Sequence, residues 1–64
     1  MINPIYQHNF IKSITVEFIE STNKGIKGLQ KDSSGNKKER EGKIVFYSTQ
    51  DIQSLFTRIN KEQF

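Results

Sequence analysis

The sequence predicts a small α+β domain: a small antiparallel sheet, a meander of two or three strands, packed against one C-terminal amphipathic helix. Three observations carry this prediction. Residues 13–20 alternate apolar and polar side chains with the period of a half-buried strand. The cluster Asp32-Ser33-Ser34-Gly35-Asn36 is rich in residues that accept tight turns. Ile52, Leu55, Phe56 and Ile59 fall at i, i+3, i+4 and i+7, one stripe of a helix.

Residues 1–12 read either as an N-terminal arm or as a short helix. In the helical version Asn3 is the cap, Pro4 takes the first helical position, and Tyr6 and Phe10 share a face. Residues 13–47 form the sheet, with a basic loop or strand at 22–43. In the first strand Ile14, Val16 and Phe18 face the core, with Ile19 on the other side. Ser21-Thr22-Asn23-Lys24-Gly25 marks a turn. A second strand over 26–31 is weaker, because Gly28 offers no side chain to pack. The return strand spans 37–47, with Gly42 at a bulge. Ile44 and Phe46 are assigned to the core, Val45 and Tyr47 to the outside. The helix spans 48–61. Ser48 precedes Asp51 by three residues, close to a capping box, and Arg58 and Lys61 sit where cations favour the dipole.

Sixty-four residues make one domain, 1–64, in which only about 60% of the unfolded surface is buried. A partner or a dimer contact would therefore add useful stability. The chain has no cysteine, which removes disulfides and thiolate metal sites and fits a cytoplasmic, intracellular setting. The longest apolar run, Ile44-Val45-Phe46-Tyr47, is far too short to cross a bilayer. No signal peptide is read at the N-terminus, and no membrane partner is expected.

Catalysis finds little to work with. Nucleophilic chemistry needs a nucleophile, a base and an orienting group. The lone histidine, His8, reads as a surface residue. Glu39 and Glu41 lie among lysines and balance charge, and Asp51 belongs to the helix start. Acids at metal-ligand spacing are absent, and one histidine cannot build a zinc site. The chain is expected not to be an enzyme and to carry no cofactor.

Charge is the most informative feature. The net charge is +3, but residues 22–43 hold seven bases, Lys24, Lys27, Lys31, Lys37, Lys38, Arg40 and Lys43, against Asp32, Glu39 and Glu41. That third of the chain is +4 and the remainder −1. Clustered bases neutralise phosphates. If 25–47 is a hairpin, Lys27 and Lys31 share one strand face and Lys38 and Arg40 the other strand's, making a basic ribbon for a major groove. The segment has one arginine and no aromatic residue before Phe46, so backbone contact is expected and base stacking is not.

The order of elements carries a resemblance. A strand, a basic strand, the turn Asp32-Ser33-Ser34-Gly35-Asn36-Lys37-Lys38, a strand ending Phe46-Tyr47-Ser48-Thr49-Gln50-Asp51 and one helix resemble the three-stranded DNA-binding domains of plant ethylene-response factors and of tyrosine-integrase arm-site domains. The resemblance covers about residues 13–61. It implies that the sheet face opposite the helix enters the major groove. Three features depart from it: such domains carry more arginine and aromatics on the sheet, the helix here has no alanine, and Glu17 lies on the face that would meet phosphate.

The first functional expectation is thus non-catalytic nucleic-acid binding, DNA before RNA, through the seven bases. The second is a small protein-binding inhibitor or adaptor of phage or mobile-element type. It would use Ile19, Val45 and Tyr47 or a free strand edge, or order its basic segment on an acidic protein surface. Homodimerisation through a sheet edge is its simplest form.

Overall fold

The structure is a computed structural model, and it describes residues 3–60. A five-stranded antiparallel sheet and two helices make up a mixed α+β domain. The chain runs β1 (Ile5–His8), β2 (Ile14–Thr22), β3 (Gly25–Asp32), α1 (Lys37–Glu41), β4 (Lys43–Tyr47), α2 (Thr49–Leu55) and β5 (Phe56–Arg58). The strand order is β4-β3-β2-β1-β5.

Strand β2 forms where the alternation placed it. Val16 is fully buried, Ile14 packs against the core, and Phe18 is half-buried. A bulge between Phe18 and Glu20 leaves Ile19 without a partner on β3. Gly28 does not break β3, because it makes room: a Cβ there would lie 2.5 Å from Val16 Cγ1.

Four expectations are corrected. First, the N-terminal segment is neither arm nor helix. Residues 5–8 pair with β2 through Ile5–Glu17, Tyr6–Val16 and Gln7–Thr15, and Tyr6 packs on the core while Phe10 is 78% exposed. β-branched neighbours on β2 offer a better partner than a helix with two apolar contacts. Second, residues 37–41 are helical. Asn36 Oδ1 accepts from the Glu39 amide at 2.9 Å, and Glu39 Oε1 accepts from the Asn36 amide at 3.0 Å, a complete capping box. Gly42, at φ 103°, ends this turn. Its positive φ suits glycine.

Third, β4 is inverted relative to expectation. Val45 and Tyr47 pack against the core, and Ile44 and Phe46 point outward. Four consecutive apolar residues give no period-two signal. Pairing decides the matter, because Gly28 faces Val45 and Ile26 faces Tyr47. Fourth, the C-terminal helix is seven residues long and not a run over 48–61. Ser48 does cap it, accepting from the Asp51 amide at 3.1 Å. At Phe56 the backbone turns extended, and Phe56–Arg58 pairs with β1. Ile59 therefore leaves the expected stripe, and Lys61 lies outside the described residues.

The helix crosses from one edge strand to the other. A flat sheet of five strands would hold its edges about 19 Å apart. Seven helical residues span only about 10 Å. The sheet therefore curls, and the rings of Tyr47 at the end of β4 and Phe56 at the start of β5 meet at 5.1 Å between centroids. Val16, Ile52 and Phe56 fill the concave side, with Tyr6, Ile14, Ile26, Val45, Tyr47 and Leu55 around them. Asn9 closes the helix end, its amide donating to the Leu55 carbonyl at 2.8 Å.

Candidate functional site

The convex face of the sheet is defined by register, since directly paired residues project to the same side. Its rows run Ile5–Glu17–Leu29–Ile44, then Gln7–Thr15–Lys31, then Glu20–Lys27–Phe46. Phe46 is 68% exposed, Ile44 50% and the bulged Ile19 45%. The charges on this face are Lys27 and Lys31 against Glu17 and Glu20, so they cancel. Lys27 Nζ lies 3.9 Å from Glu20 Oε1. A neutral face with exposed aromatic and aliphatic side chains suits a protein surface better than phosphate.

The seven predicted bases are not gathered into one ribbon. Lys24 sits on the β2–β3 turn, Lys27 and Lys31 on the convex face, and Lys37, Lys38 and Arg40 on α1, while Lys43 opens β4. Lys38 and Arg40 cannot share a strand face as expected. Two residues apart on a helix, they are separated by about 200°. Strand β3 is also not half of a free ribbon, because β2 and β4 flank it. Structure does bring Lys31, Lys37, Lys38, Arg40 and Lys43 to one end of the molecule, together with Asp32, Glu39 and Glu41.

Two clefts flank β4. One, about 390 Å³, lies between α1 and the concave ends of β2 and β3. Its walls hold Lys38 and Lys43 but also Asp32, Glu39 and Glu41, so it does not favour an anion. Asp32 is held ionised below the usual carboxylate range by the Ser13 hydroxyl and by the amide and hydroxyl of Ser34. The other cleft, about 530 Å³, joins the β2–β3 turn to the end of β4, with Ile26, Phe46 and Tyr47 as apolar walls.

Tyr47 and Val45, expected as outward contact residues, are half-buried and packed against the core instead. The Tyr47 hydroxyl donates to Gln30 Oε1 across the concave face. Burial pushes its pKa up, and Asp51 adds to the effect. Reasoning from the sequence missed Ile44 and Phe46 as the displayed pair. It also misplaced His8, which is half-buried with its ring 5.1 Å from that of Phe56. His8 Nδ1 accepts from the amides of Phe10 and Ile11, both at 3.1 Å, and so shapes the β1–β2 loop.

The strand edges differ. β4 pairs only with β3, and its other edge is unpaired among the described residues. At the opposite side of the sheet β5 is three residues long and carries Arg58. Among the described residues no group of His, Asp or Glu is arranged to hold a metal ion, and no helix is long and apolar enough to cross a membrane. No protein family, curated protein or solved structure matches the chain.

Proposed function

We propose that this chain is a non-catalytic protein-interaction module whose contact surface is the β4 edge with the convex face beside it. One observation carries the reading. An edge strand with no second partner among the described residues presents Ile44 and Phe46 to solvent, and neither a charge at mid-strand nor a proline guards it. Exposed edges of this kind take up an extended segment of another chain. The experiment is selection of extended peptides from a displayed library against the folded domain, followed by amide-shift mapping of the winners. Shifts are expected at Lys43–Tyr47 and Leu29. Peptides that move only α1, or a monomeric domain whose library yields none, would remove the reading.

Nucleic-acid binding is the second reading, and a specific observation favours it. Lys27–Glu20 is the one ion pair among the described residues, and among those residues the other six mid-chain bases have no acidic partner. Their spread over both ends of the molecule and both sheet faces places it second. It rests on fluorescence anisotropy with a short labelled duplex.

A further inference from the structure

We infer that the occupant of the β4 edge is a second copy of this chain, paired β4 to β4 in antiparallel fashion about a two-fold axis through Val45. This rests on reading that edge as the contact surface.

Three features point to self-pairing. The first is the asymmetry of the edges. β5 is short and carries Arg58, whereas β4 offers five residues with no bulge and no proline. Brevity protects one edge of the sheet, and the longer β4 leaves the other open. An isologous contact through the open edge closes at two subunits, because only the guarded edges then remain outside.

The second is the self-complementarity of Lys43-Ile44-Val45-Phe46-Tyr47. An axis at Val45, the midpoint, gives every residue of the strand a partner. Ile44 lies opposite Phe46 of the partner subunit, and Phe46 opposite Ile44 of the partner subunit. Both side chains are on the convex face, so the four close into one apolar cluster of aromatic and β-branched pairs. Lys43 lies opposite Tyr47 of the partner subunit, so no like charges meet. The two lysines end up roughly 13 Å apart along the seam, beyond the Debye length of about 10 Å at 0.1 M salt.

The third is the modest core. Only Val16, Ile52 and Phe56 are buried hydrophobic residues among those described, and joining two sheets extends the ladder without asking for more core.

Sedimentation equilibrium over a wide concentration range tests this on the full chain, with Phe46→Lys as the disrupting variant. Phe46 is mostly exposed, so the far-UV circular dichroism of the variant should match wild type. Its dimer should dissociate about tenfold more readily or worse. Register is read separately. The chain has no cysteine, so Ile44→Cys and Phe46→Cys proteins can be mixed under mild oxidation. Opposed antiparallel residues place Cα atoms about 4.5–5.5 Å apart, within disulfide reach. The mixed disulfide should outrun both homodisulfides. Equal rates would overturn the register, and an association untouched by Phe46→Lys would overturn the β4 seam. A monomer at every concentration would overturn the dimer. If selected peptides still map to β4 in that case, the module reading stands alone; if they do not, both fall.

Discussion

At the scale of single residues, two positions report on how tightly the concave face is built. Gly28 lies under Val16, and an added Cβ would also approach the Glu17 carbonyl oxygen to 2.9 Å. The backbone cannot yield as a flexible side chain would. Gly28→Ala is therefore expected to destabilise by about 1–3 kcal/mol, read from the urea midpoint at unchanged slope. A stabilising outcome would mean that β3 shifts freely against β2. Tyr47 reports through pH. Its phenol is neutral in the fold and its pKa is raised, so its contribution is complete below the ordinary value of 10.0 and is lost as pH climbs through the raised one. Wild type should lose stability on that alkaline limb, and Tyr47→Phe should be flatter there. At neutral pH the same variant should lose about 1 kcal/mol for the Gln30 hydrogen bond.

Among the elements, the two helix caps separate a global from a local role. Ser48 caps α2, which holds Ile52 in the core. Asn36 caps α1, which buries no residue. Ser48→Ala should lower global stability by about 1 kcal/mol. Asn36→Ala should speed amide exchange only at Glu39 and its neighbours, with the unfolding midpoint unmoved. The same contrast explains which elements the sequence disclosed. β2 was legible because Ile14 and Val16 alternate with Thr15 and Glu17, a local pattern that needs no partner. The Ser48 cap was legible for a similar reason. The facing of β4 was not, because Ile44-Val45-Phe46-Tyr47 is apolar throughout and its inner side is chosen by Gly28 on another strand. The end of α2 was hidden too. Phe56 fits a helical stripe, yet its ring gains more between His8 and Tyr47, each at 5.1 Å. Residues 36–39 did hold a readable signal, an asparagine three before a glutamate, masked by reading the region as one strand.

For the whole molecule the decisive quantity is where charge lies relative to apolar surface. Seven bases within 22 residues looked like one cationic site, but folding sends Lys24 to one end of the hairpin and Lys37, Lys38 and Arg40 to the other. It also sets Lys27 and Lys31 on a face where Glu17 and Glu20 cancel them. A duplex can then touch only a few bases at once. Each phosphate contact contributes a slope of about −0.9 in the logarithm of affinity against the logarithm of salt. Lys37, Lys38 and Arg40 form the densest group outside the sheet, and with Lys31 and Lys43 at the same end any slope should be no steeper than about −4.5 by that rule. Changing those three to Gln should remove duplex binding while leaving the dimer and the β4 peptide contact as they were, since α1 shares no pairing with β4. Anisotropy titrations at several salt concentrations, run beside sedimentation on the same triple variant, measure both halves. Tight binding to one duplex at physiological salt, with a steep slope that the three changes abolish, would invert the order of the two readings. It would make α1 the working surface of the chain.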